Sequence, residues 1–256
     1  MDKFFRSLLF GLALAALAYA GFLFANMAYN YIQAALSYDN VRTLAGSGKN
    51  DTLRQIVGLG KSTDDGAQTP ESIAAAQVRI IDFATLQKNN PEIVAWLYVP
   101  NSRIDYPVAQ AKDNAYYLTH DFYRRQSSSG CLFLDKDVAP DFSDHDSPVY
   151  GHHMRNKSMF GSLDYFRQTA FQRTHQIAFV YLPNKTIKYQ FVEGRLLTEK
   201  TLPPNVFDFD TLTMVTCEYD HPGDHYMVRE KFLDARKPGE RNPNDPVAST
   251  TADAKK

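Results

Sequence analysis

The chain has 256 residues, enough for one domain of ordinary to large size together with an anchor or a tail. Its hydrophobic content of 44% and aromatic content of 13% are typical of a packed globular protein and exclude a disordered or collagen-like chain. The formal net charge of -1 gives no reason to expect nucleic acid or an acidic polymer as a partner.

The first segment predicts a membrane anchor. Lys3 and Arg6 precede an uncharged apolar run over residues 8–28, which as a helix would extend about 30 Å, the thickness of a bilayer core. The basic flank favours a single-pass protein whose N-terminus is inside the cell and whose remaining residues are outside. A cleaved signal peptide is the alternative, because Ala-Tyr-Ala at positions 18–20 fits a cleavage site, although the apolar run continues beyond it.

Changes in composition divide the chain into four segments. We expect the anchor over residues 1–29, an extracellular spacer over 30–70, a folded domain over 71–235 and a polar tail over 236–256. The spacer is rich in Gly, Ser, Asp and Thr from residue 45 onward. Apolar residues at helical spacing predict a helix over 71–90 at the start of the folded domain.

From Ile93 onward the pattern changes to short apolar runs bounded by turn residues, which predict about eight strands. A single helical stretch, from about Met159 to Arg173, interrupts them. This order favours a mainly β fold, an antiparallel barrel or sandwich, over an alternating parallel α/β fold.

The two cysteines, Cys131 and Cys217, have neither the spacing of a zinc site nor that of a small disulfide-rich domain. A structural disulfide between them is an alternative that a domain of this size does not need for stability. Cys217 ends an apolar run and precedes loop-forming residues, so its thiol is expected at an accessible strand end. A thiolate there would need a nearby cation or base, and a buried, inert cysteine is the other interpretation.

His152 also ends a predicted strand, at a turn that Gly151 marks. A Cys and a His at two strand ends, far apart in sequence, are typical of a nucleophile and its base. A structural histidine is the alternative, and the adjacent His153 leaves open which of the two would act. Paired histidines also suggest a metal, but no third ligand stands at a useful spacing, so we predict neither a metal nor a cofactor.

Five segments in order resemble the sortase family, and within it class B. They are NSRIDYP at 101–107, KDNAYYLTHDFY at 112–123, SSGCLFLD at 128–135, VYGHHMRNKSMFGSL at 149–163 and TMVTC at 213–217. The resemblance implies an eight-stranded sortase barrel with N-terminal helices and one or two short connecting helices, so that residues 71–235 are the catalytic domain. It also implies Cys217 as the nucleophile and His152 as the acid and base.

The activity that the resemblance implies is transpeptidation. A sorting signal on a secreted protein is cut, the protein is held as a thioacyl enzyme, and it passes to an amine of the cell-wall precursor lipid II or of a pilin. A non-catalytic peptide-binding surface protein and a cysteine peptidase are the alternatives. The sequence does not distinguish between sorting signals of the NPxTx and LPxTx kinds.

The third family residue, an Arg on the last strand, is not at its usual place. His225 or Tyr226 stands where it is expected, and the single Arg of the predicted strand, residues 225–233, is Arg229. Alternation puts Arg229 on the same face as His225, about 13 Å of strand away. We predict Arg229 as the third catalytic residue, with His225 in a substitute role, or no equivalent, as alternatives. We also expect Thr216, Tyr226 and His225 to contact the substrate.

Overall fold

The computed structural model describes residues 3–46, 66–197, 202–217 and 225–243. Most of the Gly- and Ser-rich part of the predicted spacer and most of the predicted tail lie outside these ranges. The helices and strands below are numbered within the described residues.

The first helix, α1, runs from Lys3 to Leu44 without a break. Among the described residues it is the one helix that by length and composition could cross a membrane. It continues past residue 29, where we expected the anchor to end and a spacer to begin. Its last turns pack on the folded domain, where Val41 and Ala45 are fully buried. The chain leaves the helix at Gly46, whose φ of 74° suits glycine.

The helix predicted over 71–90 consists of two short helices, α2 from Pro70 to Gln77 and α3 from Phe83 to Asn89. The prediction of one continuous helix was wrong because Asp82 begins a new one. Its carboxylate accepts a hydrogen bond from the Thr85 backbone N–H at 2.9 Å, as an N-cap does. Both helices bury apolar side chains.

Eight strands form a closed barrel within the described residues, in the order β1-β2-β3-β4-β7-β8-β6-β5. This confirms the predicted eight-stranded β-barrel. Six neighbouring pairs are antiparallel, and two, β2 with β3 and β4 with β7, are parallel. The strands are β1 Ile93–Tyr98, β2 Asp105–Ala109, β3 Leu132–Leu134, β4 Asp146–Gly151, β5 Ile177–Tyr181, β6 Thr186–Leu197, β7 Thr211–Cys217 and β8 His225–Arg236.

Three further short helices connect the strands. Helix α4, Tyr116–Thr119, lies between β2 and β3. The stretch predicted as one helix over 159–173 is a 3-10 helix, Phe160–Arg167, followed by α5, Thr169–Thr174. They are separate because Gln168 has an extended backbone, with φ of -94° and ψ of 120°.

The two faces of β7 and β8 are both covered, but by different parts of the molecule. Leu212 and Met214 point to the main core of the barrel, together with Val228. The alternate residues point the other way and form a smaller apolar cluster around Val215 and Met227. We call this second side of β4, β7 and β8 the outer face.

Candidate active site

The backbone register brings His152 and Cys217 to one end of the barrel. Strands β4 and β7 run parallel, and Gly151 pairs with Thr216. His152 follows the last residue of β4 directly, and Cys217 is the last residue of β7. Because parallel neighbours end at the same edge, the two positions predicted to carry the chemistry lie side by side although 64 residues of chain separate them.

His225 lies on the other side of Cys217. Strand β8 runs antiparallel to β7, and its first residue, His225, pairs with Cys217. Directly opposed residues on neighbouring strands are about 4.5–5.5 Å apart and share a face. Cys217 therefore occupies the middle position of a row whose outer members are two histidines, His152 and the half-buried His225.

The His152 ring is held in one orientation. Its Nε2 lies 2.5 Å from the Leu118 carbonyl oxygen. A carbonyl can only accept, so Nε2 carries a proton and donates it, and Nδ1 is the nitrogen that takes up or releases the second proton. The backbone is fixed as well, because the Phe160 N–H donates to the His152 carbonyl oxygen at 3.0 Å.

Gly130 lies against the same ring. Its φ is 58°, and a Cβ built on it would stand 2.3 Å from the Tyr117 carbonyl oxygen and 3.2 Å from Cδ2 of His152. The first distance is shorter than real Cβ contacts allow, so a side chain here would displace either the α4 backbone or the ring. The close approach of Gly130 thus limits where His152 can lie.

Beside this row the outer face is apolar. The side chains of Leu197, Val215 and Met227 pack together there, with Tyr150 and Leu202 partly buried against them. Leu197 also pairs with His225 across β6 and β8, so this buried cluster begins directly next to the histidine row. These three side chains are 8%, 2% and 0% exposed, so the cluster is packed support beneath the position of Cys217.

The far end of the outer face carries Arg229. It pairs with Thr213 on β7, four residues from Cys217, or about 13 Å of strand at about 3.3 Å per residue. Only 1% of Arg229 is exposed. Its guanidinium donates to Thr213 Oγ1 at 3.1 Å and to the Pro203 carbonyl at 3.1 Å, and it pairs with Asp146 and Glu193 at 3.4 Å each.

Comparisons with known proteins agree with this geometry. A family model described as "Sortase domain" matches residues 97–231, more than half of the chain. The chain belongs to the sortase family.

Two curated relatives resemble part of this sortase-family chain. A protein named Sortase B from Listeria monocytogenes is 38% identical over 94 residues, which is 37% of this chain and 38% of that protein. Another, also named Sortase B, from Staphylococcus aureus, is 34% identical over 108 residues, 42% of this chain and 43% of that protein. These matches span about two fifths of the relatives' length.

A solved structure described as sortase B from Clostridium perfringens has a similar fold. It superposes with a TM-score of 0.52 at 26% identity, over 59% of this chain and 99% of that one. The chain and the Clostridium perfringens protein therefore share the same barrel fold. All three similar proteins named here are described as sortase B.

The predicted catalytic Arg229 has a different environment in this family member from the one that we expected. It lies on the predicted face, but carboxylates and a backbone carbonyl use its donors, and four residues of strand separate it from the row of Cys217. The position opposite Cys217 is taken by His225, the alternative that the sequence left open.

Thr216 and Tyr226, which we predicted to contact the substrate, lie on the side of the sheet opposite to the outer face. Thr216 is 1% exposed, and Tyr226 belongs to the main core cluster. Alternation along the strands explains this, since each is one position from the histidine row. Of the three predicted substrate contacts, only His225 lies in that row.

His153 has a separate role. Its Nε2 lies 2.7 Å from Asp164 Oδ2, and Lys157 bonds the same oxygen. Burial raises the pKa of Asp164, but the hydrogen bonds from Lys157 and His153 outweigh it and bring the pKa below its usual value. This pairing separates His153 from the neighbouring His152, a distinction that the sequence could not make.

The residues that hold His152 were missed in the sequence. Leu118 acts through its carbonyl and Gly130 through the absence of a side chain, so neither has a side-chain chemistry that marks it. A Gly after three serines, at 127–130, indicates a turn but not which ring lies against it.

Proposed function

We propose that this chain is a cysteine transpeptidase of the class B sortase type, with Cys217 as the nucleophile and His152 as the acid and base. The observation that carries the proposal is the row at the ends of β4, β7 and β8, in which Cys217 stands between His152 and His225 beside a buried apolar cluster. A cysteine needs a neighbouring cation or base to be a thiolate at neutral pH, and this row offers two.

The proposed reaction has two steps. The Cys217 thiolate attacks the carbonyl carbon of the scissile peptide bond, the C–N bond breaks, and the His152 imidazolium gives its proton to the departing amine. The acyl group is then held as a thioester. An incoming amine loses a proton to His152, attacks the thioester and releases the thiolate, so that protons and electrons balance over the cycle.

We propose that His225, and not Arg229, supplies the cationic or hydrogen-bonding group for the tetrahedral oxyanion. His225 is the cross-strand neighbour of Cys217, whereas Arg229 is engaged with Asp146, Glu193 and Pro203. A donor stabilises the transition state only if it reaches the oxygen on which charge develops. In this scheme the contacts of Arg229 stabilise the barrel, and Arg229 takes no part in the reaction.

The substrates follow from the family and from the anchor. We propose a sorting signal of a secreted protein as the acyl donor and an amine of lipid II or of a pilin as the acceptor. The apolar helix α1, with its basic flank, supports a single-pass anchor with the barrel outside the cell. No cofactor takes part in this scheme.

The test is transfer by the full-length chain in detergent. The protein is incubated with an amine and with a fluorogenic peptide that carries an NPxTx or LPxTx signal. The masses of the products are then measured by mass spectrometry. Wild type should leave the amine joined to the cleaved Thr, and Cys217→Ala should lose all activity. Hydrolysis without transfer would indicate a cysteine peptidase, and no reaction at all would indicate a binding protein.

Cys131→Ala is the matched control. Cys131 is buried, and burial raises the pKa of its thiol to about 12, so it holds almost no thiolate at neutral pH. The variant should keep its transfer activity. In wild type a thiol-directed sulfone at neutral pH should label Cys217 alone, and labelling of Cys131 instead would contradict the proposal.

A further inference from the structure

The last turns of α1 are docked on the barrel and do not merely lead into it. Tyr38 is 4% exposed and Val41 is fully buried. Arg42 donates through Nε to the Asp105 carbonyl at 3.0 Å, and Arg125 donates to Ser37 Oγ at 3.1 Å. A single continuous helix therefore joins the apolar segment to the catalytic domain through buried contacts.

One path leads from this docked end to the His152 ring. The Tyr38 hydroxyl donates a hydrogen bond to the Gly130 carbonyl oxygen. Gly130 in turn is close to both groups: a Cβ built on it would stand 3.2 Å from Cδ2 of His152 and 3.1 Å from the carbonyl oxygen of Leu118, which accepts from His152 Nε2. The phenol of Tyr38 thus fixes the residue that limits where the imidazole can lie.

A second path leads to the backbone of His152. The ring of Tyr38 meets the ring of Tyr106 edge to face, with centroids 5.3 Å apart, and the Arg42 guanidinium lies 4.9 Å from the same ring. The Tyr106 hydroxyl accepts from the Met159 N–H at 3.1 Å. The next residue, Phe160, donates to the His152 carbonyl. Both paths begin at the same turn of α1 and end at the same histidine.

We propose that Tyr38 is a positioning residue for His152, so that docking of the anchor helix α1 sets the orientation of the catalytic imidazole. The proposal rests on the role of His152 given under the proposed function. Tyr38 touches neither substrate nor nucleophile. Removing the Tyr38 hydroxyl should allow Gly130 and the Leu118 carbonyl to move relative to the His152 ring. This movement should impair proton transfer by His152 more than it impairs substrate binding.

The test compares Tyr38→Phe with Tyr181→Phe in the full-length chain in detergent. Tyr181 is a matched control, because its buried hydroxyl also donates to a backbone carbonyl, that of Ala76 at 2.8 Å, on a different helix. Both variants should lower the midpoint of thermal unfolding by a similar amount. Tyr38→Phe alone should lower kcat about tenfold or more with KM nearly unchanged, as expected for a misplaced catalytic group.

A second readout does not depend on substrate. The rate of Cys217 alkylation is followed against pH, together with the titration of His152 in protein labelled with nitrogen-15 histidine, with His152→Gln to assign the signal. Tyr38→Phe should shift both midpoints, and Tyr181→Phe should shift neither. If wild type alkylates but transfers no peptide, the proposed function fails while this comparison still tests the positioning role.

Two results would overturn the proposal. One is a Tyr38→Phe protein with the kcat, the alkylation profile and the His152 titration of wild type, and the other is a Tyr181→Phe protein that changes in the same way as Tyr38→Phe. If Tyr38→Phe does not fold, Tyr106→Phe decides, because it removes the acceptor of the Met159 N–H on the second path together with a hydrogen bond to Arg42 in the same turns of α1. It should show the same fall in kcat, and an unchanged kcat would reject the proposal.

Discussion

The outer face of β4, β7 and β8 has a group of polar residues at each end. The two ends differ in whether their basic residues are paired with carboxylates. At the Arg229 end the cation is 1% exposed and meets Asp146, Glu193 and Thr213. At the other end the strand register sets two histidines around a cysteine.

The difference teaches that a charged residue on the predicted face is not by itself a catalytic residue. Arg229 has its donors committed to neighbours that are themselves charged or polar, so a substrate would have to replace them. An imidazole can act both as a proton donor and as a proton acceptor, which is what the proposed chemistry needs. The following predictions test this division between a structural end and a reactive end.

The largest effect is expected on stability at the Arg229 end. Arg229→Met leaves Asp146 and Glu193 without their cation, and breaking a buried ion pair costs about 3–5 kcal/mol. The Asp146 and Glu193 side chains are 19% and 30% exposed, so water can partly solvate them once the cation is lost. The loss of unfolding free energy should therefore be at the low end of this range, about 3 kcal/mol. Urea unfolding measures it. Adding Asp146→Asn should recover part of the loss.

The assignment of Arg229 to a structural role would be contradicted by the transfer activity of Arg229→Met. If Arg229→Met keeps the stability of wild type but loses transfer activity, the prediction of Arg229 as a catalytic residue is right and the assignment of His225 is wrong. If folded Arg229→Met protein alkylates at Cys217 with the pH profile of wild type, Arg229 serves the fold.

The next effect is expected on catalysis at the other end. His225→Ala should lower kcat/KM about 10²-fold, as loss of one oxyanion donor does, with little change in stability because His225 is half-buried. Peptide transfer measures it. His225→Arg places a permanent cation at the same register position and should retain activity.

His145→Ala is the control for this variant. His145 is an exposed histidine that pairs with Asp210 away from the histidine row, so its loss should leave kcat/KM unchanged. A His225→Ala protein as active as His145→Ala would remove His225 from the proposed mechanism.

The strand-end positions of Cys217 and His152 were easier to predict from the sequence than the residues around them. Cys217 and His152 were recognisable because each ends an apolar run at a turn, and alternation along β8 put Arg229 on the right face. The partners of Arg229 were not predictable, since Asp146 and Glu193 come from strands far away in sequence and meet it only through the barrel register.

The length of α1 was not predictable for a similar reason. The uncharged apolar run ends at residue 28, and we assigned residues 30–70 to a spacer, whereas α1 continues to Leu44. Their helix is stabilised by tertiary contacts such as those of Tyr38 and Val41, and contacts of this kind leave no local pattern in the sequence.

The most gradual effect, spread over several pH units, concerns Glu230, which follows Arg229 in β8 but points to the opposite face. Glu230 is fully buried, and within the described part of the chain its carboxyl oxygens have no hydrogen-bond partner. Burial raises the pKa of Glu230 to about 8 from an ordinary value of 4.5. Between these two values the folded protein holds a proton that the unfolded chain has lost.

The free energy of unfolding of wild type should therefore fall as pH rises from about 4.5 to 8, by up to about 1.4 kcal/mol per pH unit, and level off above that. Glu230→Gln removes this titration, so its stability relative to wild type should increase steadily from pH 5 to pH 8. Urea unfolding at pH 5, 6, 7 and 8 measures the difference. Parallel curves for the two proteins would mean that Glu230 has a charge partner in the folded state, as Arg229 does on the other face.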